Sequence, residues 1–400
     1  MSSDINAFAL IAGIAVLAPI LADWSAPRLP VPLVVFEILL GLVLGPSVIG
    51  LGAHGELIDT LSDLGLATLM FLAGYEIDFA RIAGAPLRRA AVGWLICLGL
   101  AIVVGLLVSD TTTTGVLIGA AMATTALGTI LPIIRDAGEL ETPFGSVILA
   151  IGAVGEFGPI IAIALFLSGR SPFTSALVLI GFGLVTAFAI YRAASRREDT
   201  RMQQLVARTL RTSGQFAVRL LVFCMAAMVT LAVQLGLDML LGAFTAGVIG
   251  RLMLSRVDED LQEAVMSKLE AVGFGFLVPL FFINTGMDFD LDSLTSSVTA
   301  LLLLPAFLGL FLLIRGLPTA LLAQPGSSTK DRICLGLLSA TQLPLVVAIT
   351  TIGVENHELE PKTAAAMVGA GMLSVLVFPL VALRLRGGAD SSVALPAEAW

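Results

Sequence analysis

Residues 145–168 read GSVILAIGAVGEFGPIIAIALFLS, an apolar run broken by one ionisable side chain, Glu156. A run of this length and this poverty of charge crosses a bilayer as a helix, because about 20 apolar residues at 1.5 Å rise span the hydrocarbon core. Similar runs recur along the whole 400-residue chain, near 6–22, 31–50, 57–75, 90–108, 114–134, 174–191, 214–234, 236–250, 269–287, 297–323, 331–353 and 363–383. The chain therefore reads as an all-α polytopic membrane protein with about 13 transmembrane helices. Composition agrees, since only 13% of residues are charged against about 25% in a soluble globular chain. Disorder, coiled coil and a secreted disulfide scaffold are excluded, and a β-barrel would show short alternating segments instead of unbroken runs.

The remaining composition narrows the chemistry. A net charge of −8 without a basic stripe excludes nucleic acid as an expected partner. Cys97, Cys224 and Cys334 form no CxxC spacing, and His54 and His357 stand far apart in loops. No resident metal, disulfide framework or catalytic dyad is indicated. There is no GxxxxGK[ST] loop either, so the chain is not read as an enzyme or a pump, and no cofactor is expected.

The Lys/Arg distribution sets orientation. With the N-terminus outside, the inside loops hold all but four of the 22 basic residues. Arg170 and Lys362 fall outside, and Arg219 and Arg315 within spans. That bias satisfies the positive-inside rule for a multi-pass cell-membrane protein with a cytoplasmic C-terminus. The opening MSSDIN lacks a basic residue, so the first run reads as a retained span and not a signal peptide. A polar stretch near 192–213 divides the chain into six spans, a lone seventh and six more, the plan of two inverted repeats joined by a linker helix. The expected organisation is one transmembrane domain over 1–384. It comprises a first repeat near 6–168, a linker near 174–191, a second repeat near 214–383, and a disordered cytoplasmic tail over 385–400.

Polar residues inside the membrane carry the functional signal, because they are costly there unless they serve a site. Glu156 is read as a ligand shared by a proton and a cation, with a hydrogen-bonded packing role as the alternative. Arg315, in LFLLIRGLPTALLA, keeps its proton at any physiological pH. It either snorkels to an interface or acts as charge partner to the ion site or to helix-end carbonyls. Two spans carry polar interruptions: the fifth, GAAMATTALGTILPII, with Thr124, Thr125 and Pro132, and the twelfth, GLLSATQLPLVVAI, with Ser339, Thr341, Gln342 and Pro344. Breaks at membrane depth free backbone groups, which is tolerated only where they line a cavity or bind an ion. Their matching positions in the two halves point to a transport site formed with Thr124, Thr125, Thr341 and Gln342. Accessory roles are open for Glu37, Asp63, Glu76 and Asn284: Glu37 lines a cavity or bonds a neighbouring helix, and Glu76 with Asp78 sits at a helix end. Asp288, Asp290 and Asp292 lack the glycine and distal Glu of a calcium loop.

At these residues the chain resembles the second, mostly bacterial branch of the monovalent cation:proton antiporter superfamily. The match runs over about 7–384, through RLPVPLVVFEILLGLVLGPSVIGL, LSDLGLATLMFLAGYEID, ATTALGTILPIIRDAGELETPFG, LDMLLGAFTAGVIG and FLVPLFFINTGMDFDL in this order. The resemblance implies a sodium/hydrogen exchanger-like transmembrane domain in which broken helices five and twelve cross beside the carboxylate of helix six. It also implies a homodimer and elevator-like movement. Glu156 falls where the family has its essential Asp, Arg315 where it has Lys or Arg, and Thr124 and Thr125 on the polar pair of the broken fifth helix. The chain departs at Gly155, where many relatives have a second acid or an Asn.

The expected function is secondary antiport of Na⁺ or K⁺ against H⁺ by alternating access, with electroneutral stoichiometry. An organic-anion symporter would want several anion-holding side chains and no midplane Glu. A non-transporting sensor would have no need to keep Glu156, Arg315 and both interrupted spans together.

Overall fold

The computed structural model of the chain describes residues 2–25, 31–51, 55–77, 84–140, 142–166, 172–195, 200–210, 212, 214–255, 257–323 and 326–386. Arg28, His54, Asp78 and Arg81, and most of the expected tail, lie outside them. Every regular element among these residues is helical. Ten helices are long and apolar enough to cross a membrane, and three shorter apolar ones, Leu33–Leu44, Phe173–Ala189 and Met239–Leu254, accompany them. Each overlaps a segment expected from the sequence. Within the polar stretch 192–213 lies a further helix, Thr200–Leu210, with Val206 and Leu210 buried. It is amphipathic and too short to span.

The helices group into two compact units. The first comprises Met1–Ile20, Glu37–Asp78 and Ile160–Asp288. Its core joins Ala7, Ile11 and Ile14 of helix Ser2–Ser25 to Ile58, Leu280, Ile283 and Met287. Between apolar helices in lipid the hydrophobic effect gives little drive, so close backbone approach must supply the attraction. Helices Glu56–Glu76 and Met239–Leu254 achieve this with a reciprocal pair of glycines. A Cβ on Gly74 would stand 2.1 Å from the Phe244 carbonyl oxygen, and one on Gly247 would stand 2.0 Å from that of Phe71. Helix Glu259–Val272 starts about half a span earlier than its apolar run, because EDLQEAVMSKLE is itself amphipathic, and a π turn at Gly273–Leu277 carries it into Val278–Met287. Lys268 Nζ donates to Gln215 Oε1 at 2.9 Å and to the Leu210 carbonyl, tying the short helix to this one.

The second unit comprises Leu21–Phe36, Phe79–Pro159 and Phe289–Trp400. Here the fifth and twelfth expected spans are each two helices. Thr112–Met122 and Leu127–Asp136 form the first broken helix, and Thr329–Ser339 and Pro344–Glu355 the second. At one end of this unit Arg386 makes a bidentate pair with Glu139, Nε to Oε1 at 2.9 Å and Nη2 to Oε2 at 3.0 Å. Its remaining amino group bonds Asp331, and its guanidinium stacks 3.8 Å over the Phe144 ring. Four stretches of chain are thereby pinned by one side chain.

The glycine pair in the first unit yields a test. Gly247→Val should lower the thermal unfolding midpoint of detergent-purified protein, by the equivalent of about 1–3 kcal/mol for overpacking. Gly13→Val, with nothing within 4 Å of its Cβ, should leave it unchanged. Equal midpoints for the two variants would show that this contact does not set the helix spacing.

Candidate functional site

Both breaks follow from their local sequence. After Met122 the Thr124 hydroxyl donates back to the Ala121 carbonyl at 2.9 Å, a local bond that competes with the helical ladder. Ala126 then turns out of the helical region at φ −80°, ψ 75°. In the second broken helix Pro344 excludes helical backbone at Leu343, which adopts φ −159°, ψ −64°, and then serves as the first residue of the next half. Pro132 does not make the first break. It lies within helix Leu127–Asp136, and the interruption falls at the threonines before it.

The freed backbone groups bond across to one another. Ala126 N–H donates to the Thr341 carbonyl at 2.8 Å, and Thr125 N–H to that of Gly155 at 3.0 Å. Thr125 Oγ1 donates to the Ser339 carbonyl at 2.7 Å, and Gln342 Nε2 to the Met122 carbonyl at 2.9 Å. Trp94 Nε1 caps the Ala123 carbonyl at 3.0 Å. Ser374 Oγ accepts from Gln342 N–H at 2.9 Å and lies within bonding distance of the Gln342 and Gly371 carbonyls. Thr124, Thr125, Thr341 and Gln342 are all buried at this crossing.

Glu156 is 0% exposed, and among the described residues neither carboxyl oxygen has a hydrogen-bond partner. The backbone N–H groups of Leu127 and Gly128, which open the second half of the first broken helix, lie within reach of it. Neither closes a bond to the carboxyl, and Leu127 N–H is already given to the Thr125 carbonyl at 3.0 Å. Two further buried oxygens of the second unit are unpartnered, Thr129 Oγ1 and Gln342 Oε1. A buried acceptor left without a donor is costly, so a set of them marks a place prepared for something else.

Arg315 occupies a π turn, Leu312–Gly316, where Leu317 N–H reaches back five residues to Leu312 and Pro318 has no N–H to continue the ladder. Its side chain runs inward. Nε donates to Thr125 Oγ1 at 2.8 Å, Nη2 to the Ile151 carbonyl at 3.1 Å and Nη1 to Cys97 Sγ at 3.8 Å. None of these acceptors is a carboxylate: of the sequence alternatives the structure shows carbonyl and hydroxyl contacts, and Arg315 forms no salt bridge to an acidic side chain among the described residues. Gly155 is required for this path, since a Cβ there would stand 2.4 Å from Nη2 and 2.6 Å from Thr125 Oγ1. Thr125 thus spends its hydrogen on Ser339 and one lone pair on Arg315, which makes it part of the scaffold.

Glu37, Asp63, Glu76 and Asn284 belong to the first unit. Glu37 is buried at 3% exposure, Asp63 is exposed and Glu76 is half-buried. Asn284 Nδ2 bonds Asp288 Oδ2 at 2.8 Å, one helical turn on. Sequence reasoning missed Trp94, Thr129 and Ser374, and it read Gly155 only as a missing ligand. Thr129, four residues after Thr125, was the one with a visible signal.

Residues 12–383 match the family model described as sodium/hydrogen exchanger, transmembrane. YjbQ of Bacillus subtilis is 26% identical over 92% of this chain, which spans only 61% of that relative's length. The Na⁺/H⁺ antiporter of Enterococcus hirae is 23% identical, with 88% of this chain and 91% of that one covered. The Na⁺/H⁺-K⁺ antiporter GerN of Bacillus cereus is 24% identical, with 93% and 95% covered. Among solved structures, the sodium proton antiporter of Methanocaldococcus jannaschii superposes with a TM-score of 0.65 over 96% of this chain and 98% of that one, at 16% identity. That likeness establishes the fold.

Gly155 generates a prediction. Gly155→Asn should displace the Arg315 guanidinium and lower the unfolding midpoint, and in an Arg315→Ala background the same change should cost much less. Additive losses in that double-mutant cycle would show that the two positions do not share the space.

Proposed function

The chain belongs to the sodium/hydrogen exchanger transmembrane family, and on that premise we propose that it exchanges a monovalent cation, Na⁺ or K⁺, for H⁺ by alternating access. The observation that carries the reading is Glu156, a fully buried carboxyl with both oxygens unpartnered where two broken helices cross. A lone carboxylate in a low-dielectric site is stable only when neutralised, by a proton or by a metal cation. The two occupants therefore compete for one group, and that competition is the exchange. The unpartnered Gln342 Oε1 supports a role as a further cation ligand, while Thr124 and Thr341 keep lone pairs beyond the hydrogens they donate. Arg315 holds the scaffold and supplies fixed positive charge. Glu37 is the accessory carboxyl with the strongest burial, and Asp63, Glu76 and Asn284 have weaker grounds for a role.

The finer organisation belongs to the same reading: two inverted repeats, a homodimer, and a cell-membrane protein with its N-terminus outside and C-terminus in the cytoplasm. The Lys/Arg bias supports that orientation. One titrating carboxylate and an arginine that never releases its proton support electroneutral one-for-one exchange.

Glu156→Gln should abolish cation-driven proton release in everted vesicles, followed by acridine-orange dequenching with Na⁺, K⁺ and Li⁺ in turn, while the protein still inserts. Normal exchange by this variant would refute the assignment. Glu156→Asp should retain partial activity, because the carboxylate survives with a shorter reach.

Stoichiometry is tested separately. Reconstituted protein should reach the same Na⁺ gradient with or without an imposed potassium–valinomycin potential. A net charge per cycle would instead shift the equilibrium by about 2.3 kcal/mol per 100 mV. A gradient that follows the potential would reveal a second titrating group, with Glu37 the first to examine.

A further inference from the structure

Arg315 carries a buried charge that its neighbours do not neutralise. The guanidinium is 1% exposed, and its three acceptors, Thr125 Oγ1, the Ile151 carbonyl and Cys97 Sγ, include no carboxylate. They engage three of its five N–H donors. A buried cation of this kind is costly without a counter-charge. A narrow cleft of about 30 Å³ reaches the same side chain, lined by Arg315, Arg89, Thr319, Ala90, Gly93 and Leu322 among others. That is room for about two water molecules. The Thr319 hydroxyl is already given to the Arg315 carbonyl at 2.7 Å, so the two guanidiniums are the donors available in the cleft. Two like charges on one mostly apolar crevice repel unless something negative sits between them.

We propose that this cleft is a binding site for a small inorganic anion of chloride's size and charge, held between Arg89 and Arg315. The volume suits a monatomic ion and is too tight for a phosphate with its ester carbons. Arg89 is half-buried, which leaves the mouth of the cleft open for entry. This inference stands apart from the exchange reading, because binding and not transport reports it.

The test is the thermal unfolding midpoint of the purified full chain in detergent, at fixed sodium and ionic strength, as gluconate is replaced by chloride. A saturable rise of about 2–4 °C is expected. The rise should vanish in Arg89→Gln, which removes one donor, and in Gly93→Val, whose side chain enters the cleft beside Leu322, 3.4 Å from the Gly93 Cβ position. Crystals of the unaltered protein grown in bromide should show an anomalous peak between the two arginines, a readout that does not depend on either variant folding. A flat midpoint, a rise that persists in both variants, or bromide-soaked crystals without that peak would overturn the site. A midpoint that responds to anionic lipid and not to chloride would overturn it in favour of a lipid headgroup.

Discussion

A peptide group that cannot reach water must find its partner inside the protein, and in the second unit this constraint governs nearly everything else. Two helices stop at membrane depth, and each stop strands donors and acceptors. Ala126 and Thr341, Thr125 and Ser339, and Gln342 and Met122 supply one another's missing bonds. Neither break is affordable alone. Their crossing fixes where Thr125 stands, Thr125 fixes the Arg315 side chain, and the Arg315 path requires a glycine immediately before Glu156. One accounting problem in backbone hydrogen bonds thus propagates to the position of the Glu156 carboxyl.

The site has two electrostatic tiers. Arg315 is bonded to rigid neutral groups and belongs to the frame. Glu156 is bonded to nothing, beside the positive end of helix Leu127–Asp136. Frame and unsatisfied group come from different helices and lie close, with Arg315 Nη2 only 2.4 Å from where a Cβ on Gly155 would stand, yet no ion pair forms between them among the described residues. A direct pair would have answered the carboxylate permanently, and a permanent partner would be incompatible with the exchange role proposed for Glu156.

Much of this was legible in the sequence because lipid punishes polar residues. Glu156, Arg315 and the two interrupted spans stand out in runs that are otherwise mostly apolar, so each demands a physical explanation from the sequence alone. The positions of the breaks were harder to read. Pro344 opens a helix half as proline does, whereas Pro132 is carried inside one and the threonines make the interruption. Trp94 and Ser374 were invisible for another reason: such residues are common in membrane helices, and only the carbonyls opposite them give them meaning. Gly155 shows the limit most clearly. Sequence reasoning saw an absent ligand, while the fold uses the vacancy as the channel for a guanidinium.

The bidentate bond between Arg386 and Glu139 joins residues 247 positions apart in the chain. During synthesis at a membrane, Glu139 and the first broken helix emerge long before Arg386 or the second broken helix exist to receive them. The stretch 160–288 of the first unit must also be made in between, because the second unit is discontinuous in sequence. Stranded peptide groups and a bare carboxyl therefore have to wait in the translocation machinery or against nascent neighbours until the last helix arrives. The second unit is thus completed only late in synthesis, and until then its half-made form exposes the kind of unpaired surface that makes folding intermediates prone to misassembly.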